Sequence, residues 1–135
     1  EHLSDPIAVL NAMKKKLKQG GIMVLEVPSA NDFLLMKSLE LECFKKFTLW
    51  SQHLILHNRQ SIERFVKDVG LTLLCIEGVQ RYPLSNHLNW LRNGKPGGHK
   101  SFFSVLDSPL LLEAYGESLR KIDATDTLTA IIRKD

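Results

Sequence analysis

At 135 residues, 44% of them hydrophobic and 24% charged, the chain has the length and makeup of one globular domain. No apolar run approaches the roughly 18–20 residues of a membrane-spanning helix, and no secretory signal pattern opens the chain. A net charge of +3 is too small to demand a nucleic-acid partner.

The first element is signalled by Asp5-Pro6, a capping carboxylate ahead of a proline at the first helical position. Ile7, Leu10, Met13 and Leu17 then recur at helical spacing, and the basic run Lys14, Lys15, Lys16 and Lys18 falls where cations offset the negative helix terminus. Gly20-Gly21 ends the helix. Ile22–Val27 follows as a nearly continuous apolar run stopped by Pro28, which predicts a strand covered on both faces. Residues 29–32 read as a loop, 33–47 as roughly helical, and 50–57 show no period.

Asn58 caps a second helix whose Ile62, Phe65, Val66 and Val69 share a face, and Gly70 closes it. Leu71–Glu77 reads as a strand. From Gln80 the character changes: a short helix is expected over Asn86–Arg92, then a Gly/Pro loop over residues 93–100. Ser108-Pro109 opens a further helix carrying Leu111, Tyr115, Leu119 and Ile122, and Asp126–Arg133 reads as a β-branched final strand. There is no internal repeat. Cys43 and Cys75, far apart among apolar neighbours, read as free buried thiols, consistent with a reducing, cytoplasmic setting.

The order of these elements and four stretches of sequence resemble the class I S-adenosylmethionine-dependent methyltransferases. Glu1-His2-Leu3-Ser4-Asp5-Pro6 is similar to the segment after that family's fourth strand, and Leu17-Lys18-Gln19-Gly20-Gly21 to the lead into its fifth. Ser61–Leu71 resembles the helix leading to the sixth strand, and Asp126–Arg133 the antiparallel seventh, which inserts between the fifth and sixth. The resemblance implies an α/β, partial Rossmann-like methyltransferase fold. Its sheet would be small and mixed, about three strands with a parallel pair and the antiparallel final strand between them, flanked by three or four helices. It also implies a single domain over residues 1–135, matching the C-terminal half of the family's domain, with residues 78–106 as an inserted substrate-side flap.

The family's glycine-rich loop after its first strand has no counterpart; Gly94–Gly98 follows no strand and opens no βαβ unit. S-adenosylmethionine is therefore expected only in an intact, longer enzyme, and a chain opening on Glu1 is expected to be inactive alone. Within the resemblance, Glu1 and His2 stand where cofactor-side residues belong. His53 is the catalytic candidate, imidazole being the side chain suited to proton transfer at working pH. Asn31, Tyr82, Asn86, His87 and Trp90 are the candidates for binding a small-molecule methyl acceptor, combining aromatic faces with hydrogen-bonding tips. His57 reads as structural.

No Cys or His pair has metal-ligand spacing, and His53 and His57 lack the carboxylate of a His-Glu-x-x-His pattern, so no metal is expected. An apolar strand without its usual neighbour leaves an open edge, which predicts a homodimer through that edge. The alternative to a methyltransferase portion is a non-catalytic binding or dimerisation module derived from the same fold. Nucleic-acid binding through Lys14–Lys18, Arg92, Lys95 and Lys100 is a weaker reading, marked by a steep salt dependence.

Overall fold

The computed structural model describes all residues from Glu1 to Asp135. Helix α1 spans Pro6–Lys16, its first turn capped by the Asp5 carboxylate, which accepts from the Ala8 N–H at 2.8 Å. Strand β1 (Ile22–Pro28) follows a turn in which Gly20 takes φ 72°, the left-handed region that glycine enters without steric cost.

The helical expectation over residues 33–47 is corrected. Two 3₁₀ turns, Phe33–Leu35 and Lys37–Leu39, precede a short helix α2 (Glu42–Thr48). Met36 is extended, at φ −56° and ψ 132°, and Glu40 is left-handed at φ 47°, so a continuous helix is broken twice. Helix α3 (Arg59–Asp68) starts with a reciprocal cap: Asn58 accepts from the Ser61 N–H, and the Ser61 hydroxyl accepts from the Asn58 N–H.

Strand β2 (Thr72–Val79) leads to α4 (Leu84–Asn93), longer at both ends than expected, then two 3₁₀ turns, α5 (Pro109–Lys121) and β3 (Thr127–Arg133). The helices number five, one or two more than expected.

The sheet order is β1-β3-β2, with β3 antiparallel to both neighbours, so β1 and β2 run in the same direction. Val27, Leu25 and Met23 pair with Leu128, Ala130 and Ile132, which in turn pair with Gly78, Ile76 and Leu73. These rows face α1 and α3, and the core forms there around Leu10, Ile62, Val66, Ala130 and Ile132. A bulge at Leu74 breaks the register of β2.

The opposite face corrects the expectation that β1 is covered on both sides. Ile22 and Val24 are 49% and 62% exposed, and Glu26 beside them is exposed too. No helix of this chain crosses that part of the sheet; α5 packs beside β2. No strand pairs with the outer edge of β1. The cysteines are free as expected, but half-buried rather than buried.

Lys14 crosses from α1 to donate to the Val69 and Gly70 carbonyls at 2.7 and 2.9 Å. It thereby caps the carboxyl end of α3, a structural use for part of the basic run. No helix is long and apolar enough to cross a membrane.

Candidate functional site

Because β1 and β2 run parallel, their carboxyl ends open on the same side, where the start of β3 returns between them. That is where ligands bind in open α/β sheets. The strand ends deliver Pro28 and the following Ser29 from β1, Arg81 and Tyr82 beyond β2, and Asp126 and Thr127 just before and at the start of β3, around a cavity of about 450 Å³. Its roof comes from α2, through Phe44 and Phe47, and from α4, through Asn86, His87 and Trp90. The loop from Pro96 to Lys100 closes one flank.

The roof is held by ordinary packing. Trp90 is buried against Phe44, ring centroids 5.0 Å apart edge-on, with Leu34 beneath. Asn86 accepts the Gly97 and Gly98 N–H groups at 3.1 and 3.3 Å, tying the flanking loop to the helix. Gly98 must lack a side chain, since a Cβ there would lie 2.0 Å from the Ser85 carbonyl oxygen. His87 is buried, with Nδ1 2.7 Å from the Tyr115 hydroxyl and its ring stacked on Phe33. Burial lowers its pKa to about 4, so the ring is neutral at physiological pH, and burial likewise pushes the Tyr115 phenol up to about 12.

Two carboxyls sit at the floor. Asp126 accepts from the Arg81 and Tyr82 N–H groups, the Gln80 amide and the Thr127 hydroxyl. Burial raises its pKa, and those hydrogen bonds pull the other way. Its acceptor capacity is spent on holding the β2 end against β3. Asp32 is different. One of its oxygens accepts from the Leu34 N–H at 2.8 Å, and the other accepts from no group of the chain. Burial raises its pKa to about 7, opposed by the Leu34 bond and reinforced by the negative charge of Asp126. A carboxyl titrating near neutrality in a cavity is suited to taking up a proton.

Of the sequence candidates, His53, Tyr82, Asn86, His87 and Trp90 all line this cavity. Asn31 does not. It donates to the Asp123 carboxylate at 2.9 Å and lines a separate cavity of about 280 Å³. Glu1 and His2 stand beside His53 rather than in the cavity wall, and His53 holds its Nδ1 2.7 Å from the Thr48 carbonyl. His57, read as structural, is buried beside Phe65, and its pKa is lowered, chiefly by burial. Asp32, Arg81 and Asp126 were not among the candidates, and Lys100 was named only in the nucleic-acid reading. Asp32 had one signal: it lies in the loop leaving the carboxyl end of β1.

A mixed α/β sheet with a cavity at the carboxyl ends of its parallel strands is an arrangement of the Rossmann-like class. Residues 1–76 match the family model described as "Methyltransferase domain", and the chain belongs to that family. Among solved structures, the crystal structure of a SAM-dependent methyltransferase from Archaeoglobus fulgidus is similar to it, with a TM-score of 0.54 and 16% identity. The match covers 99% of this chain and 55% of that one, so the chain spans about half the length of that structure and shares its fold. No curated protein matches the sequence.

No glycine-rich turn of the kind that grips S-adenosylmethionine stands at the carboxyl end of a strand in this chain. Gly20 and Gly21 lie before β1, at its opposite end from the cavity, and Gly70 likewise precedes β2. A Cβ on Gly78 would lie 2.5 Å from the Thr125 hydroxyl, so that glycine serves strand packing. Gly94, Gly97 and Gly98 follow a helix.

Proposed function

We propose that this chain forms the acceptor-binding side of an S-adenosylmethionine-dependent methyltransferase, with the methyl donor held by residues other than these 135. The observation that carries the reading is the cavity at the carboxyl ends of β1 and β2, on a chain of the methyltransferase-domain family. Its size suits a small molecule, and its lining mixes aromatic faces with ionisable tips. In this reading Asp32 receives the proton released as the acceptor is methylated. Arg81 and Lys100 supply positive charge at the wall, Trp90 and Phe44 supply an apolar face, and Asp126 fixes the floor. Methyl transfer is an in-line displacement, so positioning the acceptor is the main service these side chains provide.

Two titrations test this. Calorimetry with S-adenosylmethionine is expected to give no saturable heat below about millimolar concentration, about 4 kcal/mol of binding free energy. Micromolar binding would place the donor site within these residues and overturn the division of labour. Ligand-observed NMR against small hydroxylated aromatics is expected to yield ligands weakened by Arg81→Ala and Lys100→Ala. Ligands indifferent to both changes would remove the cavity from the acceptor role.

The open edge of β1 and the exposed Ile22 and Val24 favour a second reading, a module that pairs with another copy through that edge.

A further inference from the structure

The structure brings Glu1 and His2 together with His53, which lines the cavity. Their ligand atoms all lie within 4.8 Å of one another, and His2 Nε2 is 3.5 Å from a Glu1 carboxylate oxygen. The two imidazole rings are 4.8 Å apart between centroids.

The hydrogen bonds on the far side of each ring give this cluster its meaning. His2 Nδ1 is 2.8 Å from the Gln52 carbonyl, and His53 Nδ1 is 2.7 Å from the Thr48 carbonyl. A carbonyl only accepts, so in both residues Nδ1 carries the proton. A neutral ring then presents a bare Nε2 lone pair. Metal-bound histidines are held in this way, with the second ring nitrogen donating to a backbone carbonyl that fixes tautomer and orientation.

The supports of the cluster are themselves anchored. The Glu1 carbonyl accepts from the Leu54 N–H at 2.8 Å, tying residue 1 to the segment that carries His53. Ligands about 2.0–2.2 Å from a metal in tetrahedral array lie about 3.3–3.6 Å from each other. The Glu1–His2 separation already approaches that spacing. His2 is exposed and the other two are half-buried.

We propose that Glu1, His2 and His53 form a binding site for a divalent transition metal of the zinc, cobalt or iron(II) kind. Two imidazole nitrogens and one carboxylate suit those ions over magnesium or calcium, which prefer all-oxygen shells. Three protein ligands leave at least one position open, as in metal sites that engage a ligand. Since His53 also lines the cavity, the open position suits an oxygen atom of the cavity's occupant. Metal binding stands on this geometry alone; only its service to an acceptor rests on the methyltransferase reading.

The test is a titration of the full chain with Co²⁺ alone, followed by visible absorption, with zinc competition as a second readout. One equivalent is expected to bind and to develop a ligand-field band that zinc abolishes. His2→Gln and His53→Gln are each expected to weaken binding at least tenfold, Glu1→Gln to weaken it and alter the band, and Glu63→Gln on the surface of α3 to change nothing. Circular dichroism identifies any variant that fails to fold, and the exposed His2 is the substitution least exposed to that problem. The proposal is overturned if the wild-type chain shows no saturable binding below millimolar cobalt, or if His2→Gln and His53→Gln bind as the wild type does. Because the readout involves no methyl transfer, failure of the donor or acceptor titrations leaves this result interpretable on its own.

Discussion

Replacing Asp32 by Asn tests the electrostatics of the cavity floor. The carboxyl is buried, with a folded pKa of about 7 against 3.8 for the free side chain. Below pH 3.8 the group is protonated in both states and costs nothing. Between that point and pH 7 the unfolded chain ionises while the folded chain holds its proton, so stability falls as pH rises. Above pH 7 the folded group ionises too and the penalty stays constant. The shift, at about 1.4 kcal/mol per pH unit, corresponds to about 4 kcal/mol. Asparagine keeps an oxygen for the Leu34 N–H and removes the ionisation. Urea denaturation of both proteins at pH 4, 6 and 8 is expected to show the variant gaining on wild type by several kcal/mol between pH 4 and pH 8, with the gain complete near pH 7. A stability difference that stays flat across this range would mean that Asp32 ionises in the folded protein as readily as in water, and its assignment as a neutral-range proton acceptor would fail.

Asp126→Leu removes the acceptor for two backbone N–H groups, the Gln80 amide and the Thr127 hydroxyl. At about 1–3 kcal/mol for each buried group left unpaired, a loss above about 3 kcal/mol is expected in denaturant unfolding. Ile132→Ala, at a fully buried position in the central strand, is expected to cost about 2–5 kcal/mol in the same assay. On the open face, Val24→Lys places charge at the β1 edge. If copies pair through that edge, light scattering at tens of micromolar is expected to show a dimer for the wild type and a monomer for the variant. A wild-type monomer at that concentration would dispose of pairing through β1.

The parts of the fold that were legible in the sequence are those fixed by local chemistry. Asp5-Pro6, Asn58 and Ser108-Pro109 each mark a helix start because a side-chain oxygen must satisfy N–H groups within the first turn, and all three do so. Composition alone did not determine the sheet order. The placement of β3 between β1 and β2 came from a resemblance, and the register then explains it: Leu128, Ala130 and Ile132 are the rows that need partners on both sides. Residues 33–47 were misread because their apolar spacing imitates a helix, while the extended Met36 and left-handed Glu40 that break it are backbone states without a compositional mark. The double covering predicted for β1 failed for a related reason. An unbroken apolar run records that a strand needs cover on both faces, and says nothing about which element supplies it.

The site was legible to the extent that its residues follow strand ends. Position along the chain placed Tyr82, Asn86, His87 and Trp90 beyond β2, and all four reach the cavity. Asn31 obeyed the same rule and turned instead to Asp123, while its neighbour Asp32 reaches the cavity. The Glu1–His2–His53 cluster lay beyond any spacing rule, since its members come from segments about 50 residues apart that meet through hydrogen bonds of Glu1 and His2 to Gln52, Leu54 and Ile55. Spacing rules detect metal ligands that share one turn or helix. When a ligand set is split between two loops, the carbonyls that fix each imidazole are the earlier and more specific sign, and these become visible only once the chain has folded.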